Sequence, residues 1–164
     1  MGLVAPKDLV RIRERHILDS VRAAALVGPE PASGYDLGSG GGLPGIVLAI
    51  ARPHLTVTLV EVRRNRAAFL QRAAADLGLT NIEVYPRRAE TLRARNDFCF
   101  ARAFAPLPRT WSTAEPLLVP GGRLLYWAGG GFNIAEDLPV GVSNALHPAS
   151  GLAGGGALVE LRHP

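Results

Sequence analysis

A glycine-rich stretch holds the residues whose types and spacing most clearly suggest chemistry. It runs Asp36-Leu37-Gly38-Ser39-Gly40-Gly41-Gly42-Leu43-Pro44-Gly45. Residues without a β-carbon let the backbone turn sharply and let a ligand approach it closely. A helix predicted from Leu43, with Pro44 in its first turn, adds unpaired N–H groups and partial positive charge at its N-terminus. The stretch therefore predicts a loop that holds a nucleotide-like cofactor.

Two classes of cofactor fit this loop. A G-x-G-x-x-G spacing begins at Gly40, and Glu61 lies near the spacing of a ribose-binding acid, as in dinucleotide-binding proteins. The same loop also consists of an acid, Asp36, followed by alternating glycines at Gly38, Gly40 and Gly42. A carboxylate before the loop would repel a pyrophosphate but suits the cationic amino-acid end of S-adenosylmethionine. The pattern thus favours S-adenosylmethionine over a nicotinamide dinucleotide.

Other polar residues stand where predicted strands end. Ligands of open α/β sheets bind outside the carboxyl ends of the strands. Glu61 ends the strand predicted from Thr56, and its carboxylate could accept both hydroxyls of a ribose. Glu90 follows the next strand, where an adenine ring would lie, although it could equally cap a turn or pair with Arg93. Arg102 ends a further strand and should face the mouth of the pocket, because charged side chains rarely point unpaired into a core.

The elements that must position these residues alternate along the chain. Strands are predicted at 35–37, 56–61, 81–85, 98–103 and 123–127. Helices are predicted at 7–27, 43–51, 64–77 and 108–118, with a short helix or loop at 87–95. The helix at 43–51 is apolar nearly all round and should be buried. Strands at 140–146 and 157–162, joined by a glycine-rich turn, should form an antiparallel hairpin at the sheet edge.

This order of elements predicts the fold class. Apolar strands alternating with helices are typical of a parallel sheet that is covered on both faces. We therefore predict an α/β fold of the Rossmann-like class I methyltransferase type, with a mostly parallel seven-stranded sheet and a C-terminal antiparallel hairpin. Residues 1–33 would form an N-terminal helix and linker, and residues 34–164 would form the S-adenosylmethionine-dependent methyltransferase domain.

The composition of the chain argues against a membrane-spanning, a disulfide-linked and a metal-binding protein. The chain has 164 residues, 48% of them hydrophobic, which is enough for one domain with a real core. No apolar run reaches the ~18 residues of a membrane span. The single cysteine, Cys99, precludes an internal disulfide, is expected in the core, and fits a cytoplasmic location. The four histidines are scattered, so no metal site is expected.

The charge balance allows an anionic partner. The formal net charge is +4, and all but one of the 18 basic residues are arginine, the exception being Lys7. Arginine makes bidentate contacts with phosphate, so RNA is a candidate partner. A coding bias toward arginine, glycine, alanine and proline explains the same composition equally well.

Four segments together resemble one family. They are Arg15-His16-Ile17-Leu18-Asp19-Ser20, the glycine loop continued to Ile46, Arg88-Ala89-Glu90, and Ala101-Arg102-Ala103-Phe104-Ala105-Pro106-Leu107. They resemble the RsmG (GidB) family of bacterial guanine-N7 methyltransferases, which act on 16S RNA of the small ribosomal subunit. The resemblance implies S-adenosylmethionine contacts at Gly38, Leu43, Ala89, Glu90 and Arg102. It also implies that ribosomal RNA or the small subunit is the partner, with Arg88 and Arg102 as RNA-facing, catalytic residues.

The implied chemistry needs no general base. The sulfonium of S-adenosylmethionine already activates the methyl group, and guanine N7 presents a lone pair. Two departures from the family pattern keep alternatives open. About one helix precedes the glycine loop, where members usually have a longer helical cap, and Ala128 stands where members commonly have lysine. A methyltransferase for small molecules and a non-catalytic paralogue that binds S-adenosylmethionine or RNA remain alternatives.

Overall fold

A seven-stranded sheet forms the centre of the protein. The computed structural model describes residues 12–129, 132–149 and 156–164. The strands are β1 (Ala32–Leu37), β2 (Leu55–Val60), β3 (Ile82–Tyr85), β4 (Asn96–Arg102), β5 (Leu118–Trp127), β6 (Ser143–His147) and β7 (Leu158–Arg162). Their spatial order is β3-β2-β1-β4-β5-β7-β6. The first five are parallel, and β7 runs antiparallel to both β5 and β6. The predicted α/β fold and its terminal hairpin are confirmed.

Helices precede β1 and connect the later strands. They are α1 (Asp19–Val21), α2 (Ala24–Val27), α3 (Gly45–Ala51), α4 (Arg64–Asp76), α5 (Leu107–Ala114) and α6 (Ile134–Asp137). A π-helical turn precedes α1 at Arg13–Leu18, and 3-10 turns occur at Ala89–Thr91 and Glu115–Leu117. Within the described ranges, no helix has both the length and the apolar character to cross a membrane.

The register of the sheet brings three strand ends together. Leu37, at the end of β1, lies opposite Val60 on β2 and Ala101 on β4. The chain proceeds from β1 to β2 and β3 on one side, then crosses to β4 and β5 on the other. The carboxyl ends of β1 and β4 therefore flank the point where the strand order reverses, which is where open α/β sheets bind ligands.

The core lies on both faces of the sheet. Along β4, Cys99 packs with Trp111 in one apolar cluster, whereas Phe100 packs with Leu48 in the other. Successive side chains of a strand point to opposite faces, so a strand buried on both sides has a continuous apolar sequence. The predicted burial of Cys99 is confirmed, since its exposed fraction is 0%.

The N-terminal segment differs from the prediction. The helix predicted over 7–27 is present over most of residues 12–27, but its hydrogen bonding is irregular, since a π-helical turn, α1 and α2 follow one another with a two-residue turn at Arg22–Ala23; residues 1–11 lie outside the described residues. The Ser20 hydroxyl donates to the carbonyl of His16 at 2.6 Å, and such a side-chain bond competes with regular helical bonding.

Two further differences concern helices. The helix predicted from Leu43 begins only at Gly45, and the backbone N–H of this first helical residue donates to the carboxylate of Asp36. The predicted burial of α3 is confirmed for Ile46, Leu48 and Ala49, whereas Ile50 is 53% exposed. The short helix α6 was not predicted. The glycine-rich turn before β7 lies mostly outside the described residues.

Candidate functional site

Three glycines of the loop adopt a backbone conformation that other residues rarely take. The φ angles of Gly38, Gly40 and Gly42 are +69°, +54° and +87°. At Gly42 an added β-carbon would overlap the side chain of Ile46, and at Gly38 it would lie 2.8 Å from the ring of Phe104. Packing therefore requires glycine at these two positions. Gly40 differs, because the nearest atom to its added β-carbon is 3.7 Å away.

Asp36 lies beneath the loop and not in an open cleft. Its exposed fraction is 1%, and its Oδ2 accepts a hydrogen bond from the N–H of Gly45 at 3.1 Å. Burial raises the pKa of this carboxyl from 3.8 to about 7, and the negative charge of Glu61 acts in the same direction. Asp36 thus anchors the start of α3 to the end of β1. A direct contact between Asp36 and a cofactor stays a prediction.

The raised pKa of Asp36 predicts a pH-dependent stability. The unfolded carboxyl titrates near 3.8 and the folded one near 7, so the folded state binds more protons in between. Protonated Asp36 therefore contributes to the free energy of unfolding. This contribution is complete below the unfolded pKa and is lost as the pH rises from about 4 to about 7. Asp36→Asn keeps an acceptor for Gly45 and should remove this dependence. Urea unfolding at about pH 5 and about pH 8 measures it; a parallel loss in parent and variant would contradict the assignment.

Glu61 follows β2 and is fixed by the glycine loop. Its exposed fraction is 5%. Its Oε2 accepts from the N–H of Gly40 at 3.1 Å, and its Oε1 accepts from the N–H of Arg63 at 2.8 Å. A carboxylate oxygen can accept a second hydrogen bond, so both oxygens retain capacity for a ligand hydroxyl. The sequence predicts Glu61 at a strand end, but no pattern in it predicts that Glu61 bridges to the loop.

A cleft of about 190 Å³ opens beside the loop at the carboxyl edge of the sheet. It brings together four predicted site residues, Gly38, Arg88, Ala89 and Glu90. Phe104 lines it as well. The half-buried Leu43 is not part of its lining.

Arg102 ends β4, as predicted, but it is held by the N-terminal segment. Its Nη2 lies 3.3 Å from Oδ2 of Asp19, and its Nη1 donates to the carbonyl of His16 at 3.4 Å. Asp19 is 4% exposed and also pairs with Arg22 at 2.9 Å. The indole N–H of Trp127 donates to the backbone carbonyl of Asp19 at 2.9 Å. Asp19 therefore joins α1 to the carboxyl ends of β4 and β5.

The turn after β4 is strained. Ala103 has a φ of +53°, in the left-handed region that favours glycine. This turn brings Phe104 against Gly38, so the end of β4 packs on the glycine loop. Strain of this kind clusters at functional sites. The sequence carries no signal for this strain, since alanine has no special turn preference.

Comparison with known proteins assigns the family. The family model described as "GidB: rRNA small subunit methyltransferase G" matches residues 1–133. The chain belongs to this family. The resemblance to the RsmG (GidB) family stated from the sequence is thereby confirmed, and the match includes every candidate site residue named above, from Asp36 to Arg102. The β6–β7 hairpin lies beyond the matched residues.

Several RsmG relatives are similar in sequence over part of their length. "Ribosomal RNA small subunit methyltransferase G" of Acidothermus cellulolyticus is 46% identical over 128 residues, covering 78% of this chain and 57% of that protein. The protein of the same name from Acidiphilium cryptum is 48% identical over 134 residues, covering 80% of this chain and 61% of that protein. This chain thus spans little more than half the length of these relatives.

A solved structure with low sequence identity shows the same fold. A predicted O-methyltransferase from Agrobacterium tumefaciens, protein Atu636, superimposes with a TM-score of 0.67 at 22% identity. The match covers 88% of this chain and 79% of that one. The class I methyltransferase architecture is therefore common to this RsmG-family chain and to proteins whose sequences have diverged widely.

The glycine loop, Glu61 and the cleft are suited to binding and orienting ligands. Among the described residues of this RsmG-family chain, no group of three or more His, Cys, Asp or Glu side chains could hold a metal ion. The edge instead offers a backbone loop in left-handed conformation, one buried carboxylate beside it, and a cleft with arginines at its rim. These groups can bind a cofactor and position a second, anionic reactant.

Proposed function

We propose that this chain transfers a methyl group from S-adenosylmethionine to a guanine N7 of small-subunit ribosomal RNA. The observation that carries the proposal is the link between Glu61 and Gly40 at the carboxyl edge, in a chain of the RsmG family. This hydrogen bond holds the buried acid Glu61 beside the glycine loop. Such an arrangement suits S-adenosylmethionine, whose ribose would bind the acid and whose amino-acid end would bind the loop. The proposed substrate places the reaction in the cytoplasm.

The residues present fit S-adenosylmethionine. The open side of Gly40 leaves room for a ligand against the loop, since an added β-carbon there meets nothing closer than 3.7 Å. Glu61 can accept from the ribose hydroxyls, and Ala89 and Glu90 in the cleft would lie along the adenine. When bound, S-adenosylmethionine supplies a methyl group activated by its sulfonium. Asp36 contributes by holding α3 and the loop in place.

The chain's part in the reaction is orientation and electrostatics. Guanine N7 has a lone pair, so its attack on a sulfonium methyl needs no group that removes a proton. Arg88 is exposed at the cleft and is placed to meet the anionic RNA. Arg102 lies at the neighbouring strand end, where its orientation depends on Asp19. We propose both arginines as substrate-facing residues.

Loss of the Glu61 carboxylate should weaken cofactor binding. Removing a hydrogen bond to a charged group costs about 1.5–3 kcal/mol, equivalent to roughly ten- to a hundredfold in affinity. We expect Glu61→Ala to reach this loss and Glu61→Gln, which keeps the shape, to lose less. Calorimetric titration with S-adenosylmethionine measures the effect. If Glu61→Ala binds the cofactor as tightly as the parent, Glu61 does not hold the ribose.

A second candidate is methyl transfer to a small molecule. Ala128 favours it, because this buried residue stands where members of the family commonly have a lysine near the rim of the site. Salt dependence separates the candidates, since RNA binding weakens steeply with salt as phosphate contacts release counterions. A flat salt dependence of substrate binding would favour the small-molecule candidate.

Ribosomal RNA from cells lacking this chain tests the proposal. Mass spectrometry of nuclease digests should show the loss of one 7-methylguanosine from small-subunit RNA. Expression of the parent chain should restore it, whereas expression of Glu61→Ala should restore less. Unchanged 7-methylguanosine in the deleted cells would contradict the proposed function.

A further inference from the structure

Six arginines lie together at the carboxyl edge of the sheet. They follow β2 and β3 or begin α4 and α5, and they are Arg63, Arg64, Arg66, Arg87, Arg88 and Arg109. The ends of β2 and β3 are neighbours, because Val60 pairs with Tyr85. The arginines after these strands therefore occupy one continuous surface. Arg87, Arg88 and Arg109 line the cleft, and the other three line a depression of about 370 Å³.

These six side chains lack the partners that other arginines have. Within the described part of the chain, none of them makes an ion pair or a side-chain hydrogen bond. By contrast, the guanidinium of Arg52 donates to the carbonyl of Ala24, and that of Arg123 lies 3.4 Å from Glu160. Glu61, the acid that follows β2, accepts from backbone N–H groups and forms no ion pair with these arginines among the described residues. Glu90 is the exposed acid of the cleft lining.

Two of these arginines stand where a positive charge lowers the stability of the fold. Arg64 and Arg66 lie in the first turn of α4, where the helix dipole disfavours positive charge. No acidic residue is present in that turn. A bound anion would relieve both the repulsion among the arginines and their unfavourable interaction with the dipole.

The basic charge is distributed asymmetrically about the cleft. On the β4 side, the charges of Arg102 and Arg22 are paired with Asp19. On the β2–β3 side, Arg63, Arg64, Arg66, Arg87 and Arg88 are open to solvent or half-buried, and only Arg109 of the six stands across the cleft, on α5. A polyanion that reaches the cleft is therefore attracted mainly from the β2–β3 side.

We propose that this arginine face, formed by the six residues, binds the phosphate backbone of the RNA next to the target nucleotide. The inference rests on the proposed function and extends it, because it assigns the RNA path to the β2–β3 side. Arginine forks match phosphate oxygens bidentately. Phosphate contacts fix the register of a nucleic acid without reading its sequence. The arginine face thus holds the strand while a base enters the cleft.

Paired double variants test the arginine face. Arg63→Gln/Arg64→Gln removes two exposed members and leaves Arg66, which lies beside Gly40, in place. Arg72→Gln/Arg95→Gln removes the same charge elsewhere, at residues that are also exposed. Binding of a short fluorescein-labelled single-stranded RNA is measured by anisotropy over a series of salt concentrations, without a methyl donor.

If the arginine face binds RNA, the two double variants should differ in RNA affinity and in its salt dependence. Arg63→Gln/Arg64→Gln should bind about tenfold more weakly, with the slope of log affinity against log salt reduced by about 1.4, as for two lost phosphate contacts. Arg72→Gln/Arg95→Gln should change affinity by less than about twofold, because its lost charges make no phosphate contact. The affinity for S-adenosylmethionine should be unchanged in both variants, which shows that the fold and the cofactor site are intact.

Separate outcomes decide the two proposals. The proposal for the arginine face is overturned if both variants lose RNA affinity equally. It is also overturned if Arg63→Gln/Arg64→Gln binds RNA as tightly as the unmodified chain. If the parent nevertheless transfers methyl groups to RNA, the proposed function stands. If the parent transfers none but Arg63→Gln/Arg64→Gln still weakens RNA binding selectively, the arginine face stands and the proposed function fails.

Discussion

Gly40→Val is expected to abolish S-adenosylmethionine binding, with an affinity loss of more than about a hundredfold, or roughly 2.8 kcal/mol. Valine strains a backbone whose φ is +54°. Its side chain would also fill the open space in which we place the amino-acid end of the cofactor. The same change disturbs the N–H that binds Glu61. Calorimetric titration with S-adenosylmethionine measures the loss.

Gly121→Val provides a matched control for this variant. Gly121 has a φ of +76°, and an added β-carbon meets nothing within 4 Å. It lies at the opposite edge of the sheet, beside the start of β1 and β4. The control should lose stability through the same backbone strain while keeping the parent affinity. Parent-like affinity in Gly40→Val would contradict our placement of the cofactor.

Asp19→Ala is expected to lower the free energy of unfolding by about 3–5 kcal/mol. The change removes the carboxylate that pairs with two largely buried guanidinium groups, those of Arg22 and Arg102. Their side chains are 15% and 19% exposed, so water compensates little. Urea unfolding measures the difference. Asp19→Asn should lose less, because its amide oxygen still accepts from an arginine.

Asp76→Ala is the control for the Asp19 variant. Asp76 forms an ion pair with Arg72 at 3.6 Å, but the two side chains are 69% and 84% exposed. Exposed pairs of this kind contribute about 0.3–0.5 kcal/mol, so the control should barely change the unfolding midpoint. If Asp19→Ala and Asp76→Ala unfold at the same urea concentration, Asp19 does not hold the N-terminal segment on the sheet.

The strands and the terminal hairpin could be predicted from the sequence because buried strands leave short apolar runs between turn residues. The apolar run around Phe100 is typical of a strand buried on both faces, and the structure places it in the centre of the sheet. Polar residues at strand ends then follow from topology. Accordingly, Gly38 and Glu90 were predicted near one another and line one cleft.

The remaining features arise from contacts between distant parts of the chain. No periodicity relates Asp19 to Arg102, so neither their ion pair nor the broken N-terminal helix could be predicted. The hydrogen bond from Gly45 to Asp36 likewise joins the first residue of α3 to the end of β1, a contact that no local pattern encodes. The strain at Ala103 is imposed by the packing of Phe104 on the loop, which no local pattern encodes.

The most direct test of the account is methyl transfer by the chain itself. Small ribosomal subunits from cells that lack the modification are incubated with the protein and with S-adenosylmethionine carrying a labelled methyl group, and the label is mapped. We predict label on N7 of one guanine, lost in Gly40→Val and retained in Gly121→Val. A protein that binds S-adenosylmethionine tightly but labels neither subunits nor naked ribosomal RNA would contradict the account.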